Sequence, residues 1–134
     1  MATITTTYLG QLRTKATHNQ SGAQIITDAP TDNQGKGEAF SPTDLFAASL
    51  GSCFLTIAGI AAQAHGFSID GARVETQKIM AESPRRVGEI VLDIYLPANH
   101  YSDRQKRMIE GAAATCPVAQ SVHPGIKKTV RWHY

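Results

Sequence analysis

The chain has 134 residues, 42% of them apolar, with 13 Lys and Arg against 11 Asp and Glu and a formal net charge of +2. That length suits one domain, 1–134, with a core of its own, and a charge so near balance gives no argument for a nucleic-acid or anionic-membrane partner. Two cysteines are too few for a disulfide scaffold, and without paired-Cys or Cys-His ligand spacing they form no zinc pattern.

The first fifteen residues, MATITTTYLGQLRTK, hold no apolar centre and do not read as a signal peptide. The expected compartment is the cytoplasm, where thiols rest reduced. Residues 4–8 (ITTTY) are β-branched and aromatic; 12–17 pairs with them across Gly10-Gln11, and 23–27 (AQIIT) follows the turn 18–22. These three runs predict an N-terminal meander. Residues 28–40 (DAPTDNQGKGEAF) are the most loop-like part of the chain and lead directly into its longest apolar segment.

That segment, SPTDLFAASLGSCFLTIAGIAAQAHG at 41–66, predicts a helix from end to end. Ser41 is a natural N-cap, Pro42 suits the first helical position, and Asp44 completes a capping-box-like pattern at the positive end of the dipole. Gly66 supplies the stop. A helix apolar on nearly every face must be covered on nearly every face, and its Ser, Thr and Gly residues read poorly as a membrane span. A buried central helix is expected, wrapped by sheet or by a second subunit.

Beyond Gly66 the pattern turns to strands. Residues 67–80 and 86–96 show partial alternation, most clearly at Ile90, Leu92, Ile94 and Leu96, and predict a long hairpin about the turn 81–85. Ser102 with Gln105 makes a second capping box. In the helix that follows, Met108, Ile109, Ala112 and Ala113 form one face opposite Arg104, Lys106, Arg107 and Glu110. Pro117 opens a short third helix, 117–123, and 126–134 is a last strand. The order is β-β-β-α-β-β-α-α-β, an α+β domain.

Chemistry concentrates on Cys53, in the middle of the long helix, and Cys116, directly before Pro117. Taken alone, each has a bland reading as a small buried hydrophobe. Of the two, Cys116 has the setting that favours thiolate, because its sulfur lies near the free N–H groups opening the next helix. Cys53 needs a nearby cation or acceptor. The five histidines show no ligand spacing, and no phosphate loop, dinucleotide fingerprint or nucleophile elbow is present.

Taken together, SPTDLFAASLGSCFLTI around Cys53 and AAATCPVAQSVHPGI around Cys116 resemble the two signature segments of the osmotically induced protein C / organic hydroperoxide resistance family. Their order and separation fit, and the resemblance covers almost the whole chain. It implies an intertwined homodimer, with antiparallel β-sheets packed around long central helices. It also implies thiol-dependent reduction of organic hydroperoxides, with hydrogen peroxide as a further substrate, no cofactor, and no metal.

In that chemistry Cys53 is the peroxidatic thiolate, Cys116 the resolving thiol, and an external dithiol the reductant, which reverses the dipole-based ranking. The resemblance implies activation of the first thiol by a cation and a carboxylate. Here two of the family's positions differ. The residue after the helix-opening proline is Thr43 where hydroperoxide reductases carry Glu, and the turn 18–22 has no Arg. Glu38 and Arg13 are the candidates to take their places. These departures set the chain nearer the osmotically-induced-type branch. They also leave a competing expectation, a dimeric ligand-binding or redox-sensing protein that kept fold and thiols without efficient turnover, and a third, a structural dimer with merely buried cysteines.

Overall fold

The computed structural model describes all residues, Met1–Tyr134, and they fall into two compact units, Met1–Phe46 and Ala47–Tyr134. In the first, β1 (Ile4–Gly10), β2 (Arg13–His18) and β3 (Gln24–Asp28) form an antiparallel sheet in chain order, the expected meander. The β1–β2 turn runs through three positive-φ residues, Gly10, Gln11 and Leu12, and the Leu12 N–H donates to the Tyr8 hydroxyl at 3.2 Å. The β2–β3 turn closes with the His18 N–H on the Ala23 carbonyl at 2.8 Å. No hydrophobic residue before Ala47 is buried; the buried residues of this unit are Thr27, Asp28 and Ser41.

The long helix α1 (Pro42–Ala64) begins where the sequence places it. Ser41 Oγ accepts from the Asp44 N–H and Asp44 Oδ2 accepts from the Ser41 N–H, both at 3.0 Å, which completes the capping box. At the other end Gly66 sits at φ +78°, and the Phe67 N–H returns to the Ala62 carbonyl at 3.0 Å, the left-handed stop that only glycine adopts freely. Within the chain itself α1 is covered along one side. Ala47, Leu50, Gly51, Phe54, Ala58 and Ala62 are buried, whereas Ile60 is 58% exposed. By length and composition alone α1 is apolar enough to cross a membrane, a test that core helices also pass.

In the second unit β4 (Arg73–Ala81), β5 (Arg86–Tyr95) and β6 (Lys127–His133) form a sheet with β5 in the middle. β4 and β5 are the predicted antiparallel hairpin. β6, however, lies parallel to β5, so this sheet is mixed rather than wholly antiparallel. The chain between them contains α2 (Asp103–Ala113) and α3 (Pro117–Ser121), a crossover long enough to bring a strand back in the same direction. Ser102 and Gln105 form the expected capping box at the start of α2. β4 begins later than its pattern predicts: Gly71 at φ +90° interrupts the extended run, and the Ala72 N–H closes a turn onto the Ile69 carbonyl at 2.9 Å.

The core belongs to this unit. Leu50, Phe54 and Ala58 of α1 pack with Ile90, Leu92 and Ile94 of β5 and with Ile109 and Ala113 of α2. Gly51 lets α1 approach β4 closely, since a Cβ there would stand 2.9 Å from Val74 Cγ1 and 3.1 Å from Thr76 Oγ1.

Candidate functional site

Cys53 and Cys116 are both free thiols, Cys53 half-buried and Cys116 fully buried. Cys53 comes from the middle of α1 and packs against the core cluster that contains Cys116. Cys116 is the N-cap of α3, held extended at φ −60°, ψ 145° because Pro117 follows. Its Sγ accepts the Ala119 N–H at 3.3 Å, so the helix-end contact anticipated from the sequence is present. The anticipated acidity is not. Burial pushes the Cys116 thiol above its ordinary range, the Ala119 N–H pulls it back, and the neighbouring Cys53 pushes it up again. Burial prevails, because the thiolate loses more in desolvation than the backbone N–H groups of Ala119 and Val118 return. Of the two cysteines, Cys53 is the less buried.

In the Met1–Phe46 unit, Arg13 and Glu38 meet. Arg13 Nη2 donates to Glu38 Oε2 at 2.6 Å and to Asp28 Oδ2 at 3.3 Å. These carboxylates raise the guanidinium pKa, the Glu38 hydrogen bond most strongly. Asp28 is 1% exposed and also accepts the Glu38 backbone N–H at 3.1 Å. Asp28 was not among the candidates from sequence. A signal existed: counting outward from the His18–Ala23 turn places Arg13 directly opposite Asp28 in the register of β2 and β3. Glu38 also borders an open pocket of about 380 Å³ with Gly37, Ala39, Phe40 and Asp44. Thr43, at the position where the resemblance implies Glu, lies 3.3 Å from Ser41 through their hydroxyl oxygens. No group of three or more His, Cys, Asp or Glu side chains is assembled to hold a metal ion.

A two-sheet α+β fold with neighbouring thiols, one at mid-helix and one at a helix N-cap, defines a dithiol protein. The chain belongs to the OsmC family, whose OsmC-like protein model matches residues 35–131. It is 51% identical to a candidate osmotic stress induced and detoxification response protein from Psychrobacter arcticus 273-4. That crystal structure superposes with a TM-score of 0.95 over 99% of this chain and 96% of the other. The fold is shared with the organic hydroperoxide resistance protein OhrB of Bacillus subtilis, at TM-score 0.70 and 17% identity, with 98% and 97% of the two chains covered. An uncharacterized protein of Acinetobacter baylyi is 27% identical over 84% of this chain and 79% of its own length.

Proposed function

We propose that the protein is a two-cysteine peroxidase that reduces organic hydroperoxides. The observation that carries this reading is the pairing of a half-buried Cys53 with a neighbouring, fully buried Cys116. In the first step the Cys53 thiolate attacks the outer peroxide oxygen; an S–O bond forms, the O–O bond breaks, and the leaving alkoxide takes a proton to become the alcohol. Cys53 is then a sulfenic acid. In the second step the Cys116 sulfur attacks the Cys53 sulfur, water leaves, and a disulfide remains. An external dithiol restores both thiols by exchange.

The division of labour follows chemical logic. A nucleophile must be reachable and is the thiol that peroxide meets first; a resolving thiol has only to reach its neighbour, so burial and a raised pKa do it little harm. Arg13 and Glu38 are proposed as the cation and carboxylate that serve this chemistry, in place of the two residues that differ from the family's motif. Their ion pair supports that reading.

A homodimer is proposed with it. Ile4, Tyr8, Leu9, Leu12, Ile25, Ile26 and Phe40 are exposed in a unit that buries no hydrophobic residue of its own, more apolar surface than a small monomer ordinarily leaves in water. The resemblance of this chain to a stress-induced detoxification protein supports a role in oxidative stress, in a cytoplasm that keeps thiols reduced. A second reading, a ligand-binding or redox-sensing dimer with weak turnover, draws on Thr43 at the helix start.

The test is single-turnover thiol titration of the reduced protein with cumene hydroperoxide and with hydrogen peroxide, beside Cys53→Ser and Cys116→Ser. The expected result is loss of two thiols per chain in the parent and none in Cys53→Ser. Thiol loss no faster than that of free cysteine would leave the fold without the chemistry and favour the second reading.

A further inference from the structure

The loop between β3 and α1 is more ordered than its composition suggests, and its order converges on one buried carboxylate. Asp28 ends β3 with its side chain 1% exposed, and a single oxygen, Oδ2, accepts both from Arg13 Nη2 at 3.3 Å and from the Glu38 N–H at 3.1 Å. Its own N–H donates to the Phe40 carbonyl at 3.0 Å. The chain doubles back to allow this. The Gly37 N–H reaches the Ala29 carbonyl at 3.3 Å, Gly37 sits at φ +64°, and Gly35 passes so close to Ala29 that a Cβ would stand 1.7 Å from the Ala29 oxygen. Neither glycine admits another residue without moving the turn.

The outcome of these contacts is geometric. Residues 35–40 return to the end of β3 and bring the Glu38 carboxylate onto the same guanidinium nitrogen that Asp28 holds. A buried carboxylate is tolerated only when paired and hydrogen-bonded, and Asp28 obtains both from the two groups it orients. Arg13 thereby loses the freedom of a long surface side chain, which otherwise costs entropy each time it is brought to bear.

We infer that Asp28 is a positioning residue: its buried carboxylate fixes the Arg13 guanidinium and the turn carrying Glu38 as one unit. This rests on the reading above, in which Arg13 and Glu38 serve the thiol chemistry, and extends it to a residue that touches neither peroxide nor sulfur. Asp28 acts through Arg13. The substitution Asp28→Asn keeps shape and an acceptor for the Glu38 N–H while removing the charge that holds Arg13; Asp28→Ala removes both.

The experiment measures, for parent, Asp28→Asn, Asp28→Ala, Arg13→Ala and Arg13→Ala/Asp28→Asn, two rates against pH. One is thiol loss to cumene hydroperoxide. The other is alkylation of Cys53 by iodoacetamide in a Cys116→Ser background, which needs no peroxide. The expected result for Asp28→Asn is a roughly tenfold slower peroxide reaction, as follows when a catalytic group is misplaced, and a Cys53 alkylation midpoint moved to higher pH, at unchanged melting temperature. The double variant, which leaves no unpaired buried charge, is expected to be as stable as Asp28→Asn and as slow as Arg13→Ala. Should Asp28→Asn match the parent in both rates while Arg13→Ala is slow, the positioning role is overturned and Asp28 is a structural partner only. A shifted alkylation midpoint in Asp28→Asn, beside a parent that consumes no peroxide, would sink the peroxidase reading and sustain the positioning one.

Discussion

The two units of this chain solve the same problem with opposite means. Ala47–Tyr134 is organised by apolar packing, with Leu50, Ile90, Leu92, Ile94 and Ile109 at 0% exposure and with both thiols set into that packing. Met1–Phe46 is organised by backbone pairing and by one charged cluster, Arg13, Asp28 and Glu38, while its large apolar side chains are left uncovered by the chain itself. Hydrophobic burial is the main favourable term in folding, and a unit of this size without it stands near or below the limit of independent stability. Its order therefore depends on polar geometry being satisfied almost atom by atom. A built arrangement of charge is where one expects chemistry to be tuned; a packed core is where one expects reactive groups to be held still.

The sharpest way to break the contrast is at the thiols. Cys53→Ser is expected to remove peroxide-driven thiol loss altogether, whereas Cys116→Ser should still consume one peroxide per chain and stop at the sulfenic acid, readable by a dimedone adduct and mass spectrometry. Next in size is the core. Leu50→Ala should cost about 2–5 kcal/mol, the range for truncating a fully buried leucine, while Ile25→Ala, 48% exposed, should stay within about 0.5 kcal/mol in a dilute, monomeric sample. Equal losses in urea unfolding would erase the distinction between the units. Gly51→Val tests the α1–β4 approach and should cost about 1–3 kcal/mol, the range for overpacking, set by the 2.9 Å that a Cβ would have to Val74.

The smallest effect is electrostatic. Asp93 accepts two hydrogen bonds from Arg131, at 2.8 and 2.9 Å, and one contact from His133 at 2.9 Å, and these, Arg131 first, hold its carboxyl well below the usual range. A carboxyl depressed in the folded state contributes stability that is present above its unfolded pKa, about 4, and is lost as pH falls through the lower folded value. Asp93→Asn should therefore lower the melting temperature slightly at neutral pH, by little because the ion pair is at the surface, and converge with the parent in acid, which flattens the acid side of the profile.

Much of this was legible in the sequence, for identifiable reasons. α1 announces itself through Ser41, Pro42 and Asp44, whose capping roles depend on neighbours three residues away, and the structure reproduces them. The β4–β5 hairpin follows from local alternation and a short turn. The direction of β6 does not, since the pattern of Lys127–His133 is the same read either way, and only the crossover places it parallel to β5. The start of β4 was hidden because the apolar residues Phe67 and Ile69 look strand-like while one φ at Gly71 decides otherwise. The Cys116 thiol was half legible: its helix-end partner could be read from Pro117, but its burial, which reverses the outcome, is a property of the whole core. Asp28 was out of view because its importance lies across a hairpin and a loop, not within a motif.

The sulfur of Cys116 is also the atom that closes the first turn of α3, through the Ala119 N–H. In a five-residue helix that is a large share of the end's hydrogen bonding. Chemistry that bonds this sulfur to another atom changes it as an acceptor and redirects its lone pairs. One backbone amide thus becomes a gauge of the oxidation state: the Ala119 resonance and its exchange with deuterated solvent would register each turn of the proposed cycle with no label attached to either cysteine.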